Sequence, residues 1–212
     1  MSDSRRHRGP HPLDEELFSE RSVPQLRDAV ADLSWLRTRG YAERSAVKIV
    51  GDRYSLRQRQ RVAVGRCACS DASKADRESR RVDTDTLVGK PLVVDGLNVI
   101  TTIEVALAGG ALFLGRDGCM RDMASFHGSY RLVEETNRAV QILVELVDSM
   151  QPAETVVYVD RPVSNSGRLA AVIRDEASSG GSRITAVTAD DVDGTLIRSK
   201  GVVATADSAV LD

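Results

Sequence analysis

P-L-V-V-D-G-L-N, residues Pro91–Asn98, reads as a buried strand that stops on an acid and turns directly into a helix. Leu92, Val93 and Val94 form a continuous apolar run with no polar alternation, as in a strand covered on both faces. Pro91 lacks an N–H and is tolerated at a strand's first position. Gly96 lets the backbone turn sharply after Asp95, and Asn98 can orient the carboxylate or bind substrate. The stretch is expected to form part of a ligand site.

Outward from it the same rhythm recurs. ALFLG (111–115), TVVYVD (155–160), RITAVT (183–188) and GVVATAD (201–207) are short apolar runs separated by helical stretches. In Glu134–Met150, Val140, Leu143, Val144, Val147 and Met150 share one helical face. Runs of this kind predict a three-layer α/β domain with a mainly parallel sheet over 87–212.

The front half differs. Residues 1–20 are polar and expected to be flexible. Over 21–69, Ser22 is a candidate N-cap and Leu26, Val30, Leu33 and Leu36 follow at helical spacing up to Gly40. A second helix is expected from Ser45 to Val50, ended by Gly51. A third, capped by Ser55, would carry Arg57, Arg59, Arg61 and Arg66. Three short helices suggest a small all-helical module of helix-turn-helix character. SDASKADRESRR (70–81) has no large apolar residue, so 70–86 is expected to be a linker or a solvated helix.

Composition sets outer bounds. The 212 residues are 42% apolar and 28% charged, within the range of globular proteins. No run of 18 apolar residues could span a membrane, and the N-terminus has no signal-peptide core, so a cytoplasmic protein without a membrane partner is expected. Cys67, Cys69 and Cys119 are odd in number, and C-A-C is not a usual zinc or redox spacing. Reduced thiols are the expectation. Residues 1–81 carry 18 Lys+Arg against 12 Asp+Glu, and the remainder 11 against 19. Such asymmetry suits a polyanion-binding module joined to a cation-binding domain, or two oppositely charged surfaces docked together.

In an open parallel sheet, ligands sit outside the carboxyl ends of the strands. Here those ends are acidic: Asp95, Asp117, Asp160, the pair Asp190 and Asp191, and Asp207. Converging carboxylates need a shared proton or a cation, and hard oxygens select Mg²⁺ or Mn²⁺. No Gly-rich phosphate loop follows any run. A lone Asp after a strand is most often an N-cap, and Asp190 and Asp191 fit that reading. The case rests on Asp95, Asp160 and Asp207. In DRPVSNSG (160–167), Arg161, Ser164 and Ser166 suit an anion or phosphate, with plain capping as the alternative. The long loop 116–130 contributes Asp117, Asp122 and His127, the last as an acid/base or substrate contact. Glu104, on the helix after Asp95, would be a supporting residue or a simple surface acid.

The order LRDAVADLSWLRTRGYAERSAVKIVGDRYSL, then VVDGLNVITTIE, DGCMRD, VDRPVSNSGRLA and GVVATADSAVLD, resembles the DUF434 proteins, in which a helical region precedes a DUF5616-type α/β domain. D-G-L-N-V-I and T-A-D-S-A-V are more distantly similar to the acidic signatures of PIN and NYN nucleases. That similarity implies a Mg²⁺- or Mn²⁺-dependent endoribonuclease in which Asp95 and Asp207 match family acids and Asn98 the Asn of the D-G-x-N pattern. Asp160 matches by strand-end position alone. The chain departs from that pattern in carrying one acid at Ala206-Asp207-Ser208, and the closing helix expected after it is missing or very short.

The leading expectation is therefore a metal-dependent ribonuclease, with Asp95, Asp160 and Asp207 holding the ion and Arg57, Arg59 and Arg61 holding the RNA backbone. The alternative is a non-catalytic RNA-binding protein of the same fold, and a homodimer stays open. A phosphatase using Asp95 as nucleophile ranks last, because the second Asp two residues on is missing.

Overall fold

The computed structural model describes residues 7–124 and 128–212, which form two compact units. One is built from Val82–Gly109 and Ala124–Leu211 with residues 7–9; the other from Pro10–Arg81, Gly110–Met123 and Asp212.

The first unit is the expected α/β fold. Its strands are β1 (Pro91–Asp95), β4 (Glu154–Asp160), β5 (Ile184–Ala189) and β6 (Val202–Ala204), separated by α6 (Gly96–Leu107), α7 (Thr136–Met150), α8 (Ser166–Gly180) and α9 (Val192–Ile197), with α10 (Ser208–Leu211) last. All four strands are parallel, in the order β5-β4-β1-β6. Successive side chains of a strand point to opposite faces. Leu92, Val94, Val157, Val159, Ile184 and Ala186 therefore meet the apolar sides of α6, α7 and α8 in the main core. Val93, with Val156, Tyr158 and Val203, faces the other way, under Val192 and Leu196 of α9 and Val210 of α10.

Those three layers have unequal covers. Among the described residues of this unit, the second face is packed by two short helices, α9 and α10. Asp95 shares the parity of Val93, and Asp160 that of Val156 and Tyr158. Both carboxylates therefore leave the sheet on the thinly covered side. Asp95 is in register with Tyr158, so Asp160 stands one pleat further along the neighbouring strand.

The second unit holds α1 (Asp14–Leu17), α2 (Val23–Thr38), α3 (Glu43–Arg53), α4 (Gln58–Cys67) and α5 (Asp71–Arg80). Ala29, Leu33, Ala46, Val50, Leu56, Val64 and Ala68 make its core. Several local expectations change. Gly51 does not end α3: the Arg61 guanidinium packs where a Cβ would stand, which is a reason for glycine inside the helix. Ser55 takes φ +51 in the turn, and Arg57 becomes the N-cap of α4, its N–H bonded to Gln60 Oε1 at 3.0 Å. Residues 71–80 are a solvated helix capped by Ser70. ALFLG adds no strand to the parallel sheet: β2 (Phe113–Leu114) pairs antiparallel with β3 (Met120–Arg121) in a small hairpin of this unit.

Candidate functional site

The rim begins at Asp95. The residue is 5% exposed, and its carboxylate caps α6, accepting the Asn98 N–H at 3.2 Å. The capping role and a place on the rim are thus compatible. Its second oxygen accepts the Thr205 hydroxyl at 2.9 Å. Asn98 in turn accepts the Ala206 N–H on its side-chain oxygen at 2.8 Å. The segment after β6 is clasped at two points to the first turn of α6. Asp207 follows, exposed, capping α10 through the Ala209 N–H at 2.8 Å.

Charge couples the acids to one another. Burial pushes the Asp95 carboxyl up to about 6; the bonds from Thr205 and Asn98 oppose this, while Asp160 and Asp207 add to it. Asp160 is raised by burial and by Asp193 and Asp207. Asp193 is raised by burial and by Asp207 and Asp191. Asp95, Asp160, Asp207 and Asp193 therefore form one electrostatically coupled group at the carboxyl ends of β1, β4 and β6 and the start of α9. Asp193 was missed in the sequence. Its signal was the N-cap at Asp191, whose carboxylate accepts the Gly194 N–H at 2.9 Å; a carboxylate two residues on then lies in the first turn of the following helix.

The donor set is all carboxylate, which suits a hard divalent cation. Among the described residues, however, no three His, Cys, Asp or Glu side chains stand together as a ready-made ligand shell. The acids act on one another through repulsion of like charges, without a closed shell.

Residues 84–212 match the family described as a domain of unknown function, DUF5616, and residues 25–80 the family described as a protein of unknown function, DUF434. The chain belongs to the DUF5616 family. An uncharacterized protein of Methanocaldococcus jannaschii is 29% identical over 188 residues, covering 88% of each chain. No solved structure matches.

Other candidates of the DUF5616 chain lie elsewhere or are already engaged. Glu104 is neither a surface acid nor on the rim: it is wholly buried, paired with Arg8 at 2.8 Å and hydrogen-bonded by Tyr130 and Thr136. Asp117 and Asp122 belong to the helical unit. Asp117 is buried between Arg77 and Arg121, and Asp122 lies 3.5 Å from Arg66. Asp117 follows a hairpin strand, not a strand of the parallel sheet. His127 lies outside the described residues.

The loop after β4 is braced from within. Ser166 is buried and its hydroxyl donates to the Asp160 and Val163 carbonyls, so it locks the loop and is not offered to a ligand. Ser164 is exposed and exchanges backbone bonds with Gly128 and Tyr130. Arg161 pairs with Asp190 at 2.7 Å. In the helical unit Arg57 pairs with Glu16, Arg59 with Asp14 and Arg61 with Asp52. A partner for these three would have to displace a carboxylate of the protein itself. No described helix is long and apolar enough to cross a membrane. All three cysteines are free thiols; burial raises Cys67 to about 11, with Cys69 and Cys119 also raised.

Proposed function

We propose that this protein is a divalent-metal-dependent ribonuclease whose reaction centre is the rim of Asp95, Asp160 and Asp207, with Asp193 beside it. The observation that carries the reading is Asp95 itself: a carboxylate at the end of a central strand, destabilised as an anion by its burial and further by two acids, Asp160 and Asp207. Such a group is costly unless a proton or a cation answers it. Most protons have left a group with a value near 6 at neutral pH, which favours the cation. The similarity of D-G-L-N and T-A-D-S to PIN and NYN signatures, and the central place of β1 between β4 and β6, support ribonuclease chemistry over other metal-dependent hydrolysis.

A bound Mg²⁺ or Mn²⁺ would supply an activated water at neutral pH and charge for the leaving oxygen. The protein's own part is positional. Thr205 and Asn98 fix the Asp95 carboxylate and the loop leading to Asp207, so the acids keep their spacing before any ligand arrives.

The open arrangement of the acids favours one second reading, a non-catalytic RNA-binding protein of the same fold. Incubation of wild-type and Asp95→Asn protein with single-stranded RNA and Mn²⁺ separates the two. Mn²⁺-dependent cleavage by wild type alone is expected. Cleavage unchanged in the variant overturns the assignment, and RNA binding without cleavage by either protein selects the second reading.

A further inference from the structure

The cations of the helical unit fall into two groups. Those of α4 are matched by acids, as described above. Along α2 and the first turn of α3, Arg27, Arg39 and Arg44 form no ion pair among the described residues, and all three are exposed. Arg27, Ala31, Trp35 and Arg39 recur every fourth residue, which places them on one ridge of α2, and each is exposed. Trp35 is 53% exposed and contributes nothing to the core of its unit. The Arg39 guanidinium stacks on its ring, 3.5 Å from the centroid. Tyr41 is 51% exposed and is held at the end of the same helix by its N–H, bonded to the Leu36 carbonyl at 3.2 Å after the Gly40 turn.

Nearby acids are largely occupied. Asp32 accepts the Tyr54 hydroxyl and lies 3.3 Å from Arg53, and Glu43 pairs with Arg37. Asp28 stands exposed beside Arg27, near the opposite end of α2 from Trp35.

We infer that this ridge is a stacking platform for an unpaired strand of nucleic acid. A base lies on the open face of the Trp35 indole, with Tyr41 as a second platform, and phosphates lie against Arg27, Arg39 and Arg44. The ligand must be flat and aromatic as well as polyanionic, because an exposed indole lies between two cations on one ridge. An acidic peptide uses the guanidiniums but leaves the indole in water, and an apolar partner covers the indole but strips water from unpaired charges. The inference names the substrate class of the ribonuclease reading, yet it stands on the helical unit alone.

Trp35 is the only tryptophan of the chain, so its fluorescence reports directly on the ridge. Full-length Asp95→Asn protein is titrated with a 15-nucleotide oligouridylate. Saturable quenching is expected, with affinity falling about tenfold between 50 and 200 mM KCl, and less in Arg27→Ala or Arg39→Ala. By anisotropy of a labelled strand, Trp35→Ala binds about tenfold more weakly while Trp35→Phe retains most of the affinity. Circular dichroism confirms that these surface variants fold. Absence of quenching overturns the inference. So does equal quenching by duplex RNA of the same length, or competition by polyglutamate as effective as by RNA. A change in emission with protein concentration alone would instead assign the ridge to a second copy of the chain. Quenching with no cleavage by wild type removes the ribonuclease reading and leaves this one; cleavage without quenching does the reverse.

Discussion

Thr205 donates its hydroxyl to Asp95 at 2.9 Å across 110 positions of the chain, joining the loop after β6 to the end of β1. The same loop gives its Ala206 N–H to Asn98, so one turn of α6 holds it at two points. A buried carboxylate that serves as anchor and also carries like-charged neighbours leaves a measurable trace in stability.

The trace is a pH dependence of definite sign. Burial, assisted by Asp160 and Asp207, raises the folded-state value of Asp95 to about 6 from 3.8. The native state therefore holds a proton that the unfolded chain has lost, and stability falls as pH rises from about 4 through about 6. The loss is on the order of 3 kcal/mol at neutral pH. Asp95→Asn is expected to melt above wild type at pH 7.5 and close to it at pH 4. Mn²⁺ should raise the wild-type midpoint at pH 7.5 and leave the variant unmoved. A wild type that gains stability through that window contradicts the assignment of the shift.

Gly96 sets the distance between β1 and β4. A Cβ there would stand 2.7 Å from the Tyr158 carbonyl, on the residue in register with Asp95. Backbone cannot retreat as a side chain can. Gly96→Ala is expected to cost about 1–3 kcal/mol, as overpacking does, and to weaken Mn²⁺ stabilisation. Denaturant melts with and without Mn²⁺ measure both; a midpoint within experimental error of wild type would show that the strand accommodates the methyl.

PLVVD and TVVYVD are legible because each is a β-branched apolar run closed by an acid, as covered strands are, and their terminal acids then fall on a common rim by topology. ALFLG was misleading for the opposite reason. Its paired part is two residues long, and so short a run says nothing of its partner. Asp117 reads as a strand-end acid because its partners are Arg121, four positions on across a hairpin that is not evident locally, and Arg77, forty positions earlier. Arg57, Arg59 and Arg61 had the same fault in reverse: spacing showed their charge and hid the carboxylates that neutralise it. Asp193 is visible only once Asp191 is known to begin α9.

Asp117 is predicted to be structural. Burial alone would raise its carboxyl, but Arg121, with bonds of 2.8 and 2.6 Å, and Arg77 hold it well below the usual carboxylate range. A depressed value contributes stability above the unfolded value near 4 and loses it as pH falls. Asp117→Ala removes the buried carboxylate that Arg77 and Arg121 share, with Arg77 retaining Asp212 at 2.6 Å, and a loss of about 3 kcal/mol is expected. Oligonucleotide binding and urea melts of the variant at pH 7 report it. Wild-type stability in Asp117→Ala would return this acid to the list of functional candidates.

The pairing of Arg8 with Glu104 makes a stronger demand, because Glu104 has no exposure at all. One of its oxygens takes the hydroxyls of Tyr130 and Thr136; the other depends on the Arg8 Nε at 2.8 Å. Arg8 also donates to the Arg131 carbonyl at 2.9 Å and lies over the Tyr130 ring. Removing the guanidinium strands a carboxylate in the core of the α/β unit, and Arg8→Ala should lose about 3 kcal/mol or more. Glu104→Gln keeps the volume and one oxygen to accept the Tyr130 and Thr136 hydroxyls but loses the charge, so the same Arg8→Ala change should cost far less in that background. A double-mutant cycle by denaturant melts is expected to give a coupling above about 1 kcal/mol. Equal losses in the two backgrounds would mean that the N-terminal segment is held by its other contacts and that Glu104 is satisfied without Arg8.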